Sequence, residues 1–174
     1  GDSVSYAMKR FKATKSVAKV RTEANMQRAA ADVGAAPSVV DVVVSRPAAI
    51  VMECMERTVL DVCKDQGGAL TDEQQWRILA LYEALDGIGL IHNDSNPLNL
   101  MVRGAGDYEQ WRLIDYGFAK RTPKGKVDQN LRVGLRFLLT SCKGLLTRRY
   151  LTERPRVLEA AVAQKSHRPV GVGA

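Results

Sequence analysis

Residues 91–117 contain His92-Asn93-Asp94, then Asn99 five positions after Asp94, and finally Asp115-Tyr116-Gly117. Between them lie two short apolar runs, 98–102 and 110–114, separated by the turn-forming Arg103-Gly104-Ala105-Gly106-Asp107. Oxygen-bearing side chains set around a strand–turn–strand in this way suit phosphoryl transfer from a nucleotide. That reaction needs a carboxylate near the attacking hydroxyl. It also needs an amide oxygen and a second carboxylate to hold Mg²⁺ against the phosphates. Asp94, Asn99 and Asp115 have the types and the order for these tasks.

Such a loop has to be held by regular elements, and the pattern of apolar residues supplies them. Residues 4–11 alternate and contain β-formers, which predicts a strand that carries Lys9. Residues 15–33 carry a narrow apolar stripe through Val17, Val20 and Ala24, and Gly34 closes the predicted helix. The β-branched runs 38–44 and 48–52, split by Ser45-Arg46-Pro47, predict a hairpin, and residues 58–64 a short helix. Thr71-Asp72-Glu73-Gln74 is a capping box that opens a longer helix, with Ile78, Leu81, Tyr82 and Leu85 on its apolar face. Gly87 and Gly89 end it just before His92. Further helices are expected over 127–146, burying Leu131, Leu135, Leu138 and Leu139, and over 154–164, followed by a loose tail at 166–174.

The Asp94–Asn99–Asp115 pattern resembles the catalytic and metal loops of the protein-kinase superfamily, His-Arg-Asp-x-x-x-x-Asn and Asp-Phe-Gly. The resemblance implies a reduced two-lobed α+β fold in one domain over residues 1–165. Residues 1–55 would form the first lobe and 56–165 a short, mainly helical second lobe. It also implies the rest of a site. Tyr6-Ala7-Met8-Lys9 resembles the Val-Ala-Ile-Lys strand, making Lys9 the phosphate-binding lysine and Glu23, on the next helix, its carboxylate partner. Ile50-Val51-Met52-Glu53-Cys54-Met55 resembles the strand that runs into the adenine-binding hinge, with Met52 as gatekeeper and Glu53 and Met55 offering main-chain groups. His92 would brace the catalytic loop. Asp94 would be the base, and Asn99 and Asp115 the Mg²⁺ ligands. The implied function is Mg-ATP-dependent phosphotransfer to protein serine or threonine. A pseudokinase serving as a binding or structural module, and a small-molecule kinase, stay open beside it.

Several positions depart from the family pattern. No Gly-x-Gly-x-x-Gly precedes Lys9, Asn93 replaces the usual Arg, and Asn96 stands where a γ-phosphate lysine is expected. Tyr116 replaces Phe, there is no Ala-Pro-Glu, and 57 residues follow Gly117, few for a full second lobe. A second, narrower resemblance is to the small kinase of the KEOPS complex. It is carried by Arg21-Thr22-Glu23-Ala24 and by Gly34-Ala35-Ala36-Pro37-Ser38-Val39-Val40-Asp41.

The bulk properties agree with a globular chain of 174 residues, 45% apolar and 26% charged. No run approaches the roughly 18 apolar residues of a membrane span. Cys54, Cys63 and Cys142 are spaced for neither a disulfide framework nor a zinc site, which points to an intracellular, reducing setting. The net charge of +7 is uneven, because residues 119–156 hold eleven Lys or Arg against Asp128 and Glu153. That stretch is expected to face an acidic protein partner or nucleic acid, with Arg132 and Arg136 sharing one helix face.

Overall fold

The computed structural model describes residues 5–123 and 129–141. These build an α+β structure of small antiparallel sheets and four α-helices, organised around two hydrophobic cores.

The first core lies between a sheet and one helix. Strands β1 (Tyr6–Arg10), β2 (Val39–Val43) and β3 (Ala49–Glu53) pair antiparallel in the order β1-β3-β2. Strand side chains alternate between faces, so Tyr6, Met8 and Arg10 are exposed while Ala7 and Lys9 turn to the covered side. There Phe11, Ala48, Ile50 and Met52 pack with Val20 and Ala24 of helix α1 (Val17–Ala31). Helix α1 begins at Val17, two residues later than the predicted range 15–33. Ser16 is extended (φ −66°, ψ 145°) and its side chain accepts from the Lys19 N–H, so Ser16 caps the helix and cannot belong to it. After α1 the chain turns through Gly34 at φ +72°, a conformation that glycine adopts without cost.

The second core is larger. It gathers α2 (Val59–Asp65), α3 (Asp72–Gly87), α4 (Gln129–Ser141) and the strands β4 (Arg57–Thr58), β6 (Leu100–Arg103) and β7 (Gln110–Leu113), which pair in the order β4-β6-β7. β5 (Leu90–Ile91) pairs with β8 (Lys120–Arg121) beside it. Thr71 and Gln74 form the expected capping box, and Thr58 with Asp61 forms a second one on α2. The predicted 98–102/110–114 hairpin is β6–β7, with Leu100 opposite Leu113 and Val102 opposite Trp111. Helix α4 lies very close to α3: a Cβ on Gly134 would fall 2.2 Å from Tyr82 Cδ2.

Cys54 is half-buried and Cys63 buried. Among the described residues no helix is long and apolar enough to cross a membrane. Cys142, the helix expected over 154–164, the tail at 166–174 and the side chains of Leu135, Leu138 and Leu139 lie outside what is described.

Candidate functional site

Lys9, Glu23 and Asp115 meet where the two cores face each other. Lys9 Nζ donates to Glu23 Oε1 and to Asp115 Oδ1, both at 2.6 Å. The strand alternation that turns Lys9 towards α1 makes the first bond possible. Glu23 lies on the packed side of α1 with Val20, Ala24 and Gln27, and its side chain is only 2% exposed. A carboxylate buried that deeply is tolerated when its charge is compensated. It has two cations, because Lys15 Nζ donates to Glu23 Oε2 at 2.7 Å.

Asp115 follows β7 and is itself left-handed (φ 65°, ψ 73°), which aspartate tolerates better than most residues. Its Oδ1 also accepts from the Gly117 N–H at 3.3 Å. Burial alone would raise this carboxyl. The Lys9 hydrogen bond and charge, with the Gly117 N–H, outweigh burial and hold it below the usual carboxylate range. Gly117 has to be small. A Cβ there would lie 3.1 Å from Asp115 Oδ1 and 3.3 Å from Glu23 Oε2. Tyr116 turns the opposite way into the second core, donates to the Ala35 carbonyl (3.3 Å) and meets His92 edge-on at 4.7 Å.

The loop carrying Asp94 is held by neutral groups. Asn99 Nδ2 donates to the Asp94 carbonyl (2.8 Å) and to Asp94 Oδ2 (3.0 Å), while Asn96 Nδ2 donates to Asp94 Oδ1 (3.2 Å). Each carboxylate oxygen of Asp94 is thus oriented by an amide. His92 is fully buried. Its Nε2 faces the Ile114 carbonyl at 3.0 Å and its Nδ1 faces the Asp94 N–H at 3.3 Å. A carbonyl needs a donor and an N–H needs an acceptor, so this pairing assigns the neutral Nε2–H tautomer. Burial pushes the His92 pKa below its ordinary value despite the carboxylates of Asp94 and Asp115 nearby. Below the loop, Asn130 Oδ1 accepts from the His92 N–H (3.0 Å), and Asn130 Nδ2 donates to Asp86 Oδ1 and to the Leu90 carbonyl, both at 2.7 Å. Asp86 also accepts from the N–H groups of Asn130 and Leu131, capping the start of α4.

Beside Asp94 opens a cleft of about 340 Å³, lined by Ile91, Asn93, Asp94, Ser95, Asn96, Gln129, Asn130 and Val133. Among the described residues that line it, Asp94 is the one ionisable group. Among the described residues no three His, Cys, Asp or Glu side chains converge as a metal cage. The donors on hand are hard oxygens, the Asp115 carboxylate and the amide oxygen that Asn99 turns away from Asp94. The Ile114 N–H donates to the Asn99 carbonyl (2.8 Å), so these two ligands are carried on adjacent, tied backbones. One carboxylate and one amide are a sparse set. They fit Mg²⁺, which keeps several waters and takes its remaining oxygens from phosphates.

The hinge candidates are less open. Met52 and Met55 are buried, at 7% and 8% exposure, and Gln27 Nε2 donates to Met52 Sδ (3.4 Å). The Glu53 N–H is used by the Ser38 carbonyl (3.0 Å), and its side chain accepts from Arg103 (3.0 Å), tying β3 to β6. Glu53 can therefore present a carbonyl there, but no N–H. The basic stretch is also less uniform than its composition suggests. Lys120 and Arg121 are exposed, whereas Arg132 and Arg136 are half-buried, and Arg132 Nε is enclosed without a hydrogen-bond partner. Arg132 and Arg136, expected to share one helix face, are thus only partly open, on a helix that packs against α3. Residues 124–128 and 142–156 of that stretch lie outside the described residues.

Four contributors carry no sequence signal of their own: Lys15, Asn96 as a carboxylate-orienting amide, and the pair Asn130 and Asp86. A buried acid on a helix calls for cations, and that is the one hint that could have led to Lys15. Comparison with known proteins yields no matching family model and no matching curated protein.

Proposed function

We propose that this chain is a Mg-ATP-dependent phosphotransferase of protein-kinase-like, two-lobed fold, acting on a serine or threonine hydroxyl of a protein. The observation that carries this reading is the meeting of Lys9, Glu23 and Asp115, which lie 14 and 106 positions from Lys9 in the chain. In this reading the two cores are the two lobes, and the cluster lies in the cleft between them.

Each residue then has a task. Lys9, oriented by Glu23, turns an ammonium to the nucleotide phosphates. Asp115 and the Asn99 amide oxygen hold Mg²⁺, which when bound offsets the charge on the transferring phosphoryl group. Asp94 accepts the hydroxyl proton, its two oxygens aimed by Asn96 and Asn99. His92 and Asn130 keep that loop from drifting, and the acceptor enters through the cleft beside Asp94. Replacing Asp94 by Asn should leave Mg-ATP binding nearly intact while kcat falls about 10²-fold or more. Equal transfer of labelled phosphate by wild type and variant would refute the reading.

One observation favours a second reading, a nucleotide-independent binding module. The Lys9–Asp115 ion pair itself joins β1 to the Asp115 loop, each group satisfying the other directly. A thermal shift separates the two, since Mg-ATP at 100 times its Kd should stabilise by about 2.7 kcal/mol. No shift at millimolar nucleotide supports the module. An acidic protein partner for the basic stretch belongs to the same proposal. Reversing the charge of Lys120 and Arg121 should flatten the salt dependence of partner capture and spare nucleotide binding.

A further inference from the structure

Glu23 divides its carboxylate between two lysines, one on each oxygen, and the phosphotransferase reading uses only Lys9. The two cations differ in what else they hold. Lys9 also serves Asp115, whose side chain is 40% exposed. Lys15 has no second carboxylate among its ion pairs here and is fixed from several sides. Its N–H donates to the Lys12 carbonyl (2.9 Å), the next residue caps α1, and its Nζ lies 4.3 Å from the centre of the Phe11 ring. Lys9 Nζ lies 5.4 Å from the same ring, so Phe11 is a shared floor for both ammonium groups.

We infer that Lys15 is a positioning residue. It compensates the Glu23 carboxylate and holds it in place, so that Lys9 can exchange Asp115 for the nucleotide phosphates. With Lys9 as its sole cation, Glu23 would lose compensation each time Lys9 shifted towards a phosphate. An unpaired carboxylate at 2% exposure is the costliest outcome available to this cluster. A second, stationary cation removes that conflict. The inference deepens the phosphotransferase reading and rests on it.

The experiment is calorimetric titration of the purified full chain with Mg-ATP, paired with urea unfolding of each nucleotide-free variant. Lys15→Met, which keeps the stem over Phe11 and removes the charge, should weaken binding about tenfold, and Lys15→Arg should restore it to within about twofold. The loss should vanish in backgrounds that lack the pathway: Lys15→Met should cost nothing more once Glu23→Gln or Lys9→Met is present. Additive losses in those backgrounds would overturn the inference, because Lys15 would then touch the nucleotide itself. Unchanged affinity in Lys15→Met alone would overturn it too, leaving a surface ion pair. If Lys15→Met loses its unfolding transition, Lys15→Gln carries the same comparison. Wild-type chain that fails to bind Mg-ATP overturns the phosphotransferase reading and this inference together. Wild-type binding with an indifferent Lys15→Met overturns the inference alone.

Discussion

The two acidic loops of the site are supported by opposite means. Asp94 sits on a neutral scaffold of amides and a buried imidazole, with Asn130 joining His92, Leu90 and Asp86 beneath it. Asp115 sits in a cluster of charges, with Lys9 and Lys15 against two carboxylates and a left-handed backbone at the aspartate itself. Hydrogen bonds from uncharged amides in a partly buried setting respond less to salt or to an arriving anion than an ion pair does. A half-exposed ion pair responds to both. The molecule thus holds Asp94 through uncharged partners and leaves Asp115 in an ion pair that is able to change partners.

The largest test of this contrast is Asn130→Ala. Asn130 is 2% exposed, and its loss leaves the His92 N–H and the Leu90 carbonyl buried without their partner. Unfolding in urea should register a cost of about 3 kcal/mol, the same at low and high salt. Gly134→Ala probes the seating of the helix that carries Asn130. The new methyl would overlap the Tyr82 ring, so a net loss of about 2 kcal/mol is expected after the gain in helix propensity. An unchanged melting curve would mean that α3 and α4 part more easily than their contact implies.

A smaller effect comes from pH. Burial lowers the folded-state pKa of His92 from its ordinary 6.5, so below that pH the unfolded chain takes up a proton which the native imidazole refuses. The stability His92 confers is therefore complete above about pH 6.5 and falls as the pH drops through and below it, by at most about 1.4 kcal/mol per pH unit. Unfolding of wild type and His92→Gln at pH 7.5 and 5.5 measures the difference, and equal slopes would argue against a buried neutral imidazole. Smallest of all should be Asp115→Asn, within about 1 kcal/mol and shrinking further in 1 M salt, because its ion pair is partly in water. A large, salt-independent loss there would erase the contrast between the loops.

The sequence makes the Asp94 loop legible because short-range geometry builds it. An amide five residues after an aspartate in a tight loop, followed by a hairpin, leaves few arrangements, and both strands of the hairpin occur as expected. Lys9 and Glu23 are legible through a resemblance, that of Tyr6-Ala7-Met8-Lys9 to the kinase lysine strand, with Glu23 on the helix that follows. Lys15 lies just before the cap of α1, where neither strand nor helix period applies, and only the fold brings it to Glu23. Asn130 and Asp86 meet across 44 positions through the packing of α3 on α4, a contact that depends on Gly134 opposite Tyr82. The two-residue strands β4, β5 and β8 are too short to carry any alternation, and they exist because neighbouring strands template them. Charge composition does not separate the exposed Lys120 and Arg121 from the half-buried Arg132 and Arg136, because counting residues cannot tell which helix packs against α3.

The Ala35 carbonyl accepts twice, from the Leu113 N–H at 2.8 Å and from the Tyr116 hydroxyl at 3.3 Å. It rivets the far end of α1 to β7, and the rivet makes the helix a lever with a fixed fulcrum. From Glu23 to Ala31 the helix rises about 12 Å, so a swing of about 10° about that end carries the Glu23 carboxylate roughly 2 Å. That travel exceeds the tolerance of a 2.6 Å ion pair. Val20 and Ala24 travel with Glu23, so the grip on Lys9 is tied to how α1 seats on its sheet.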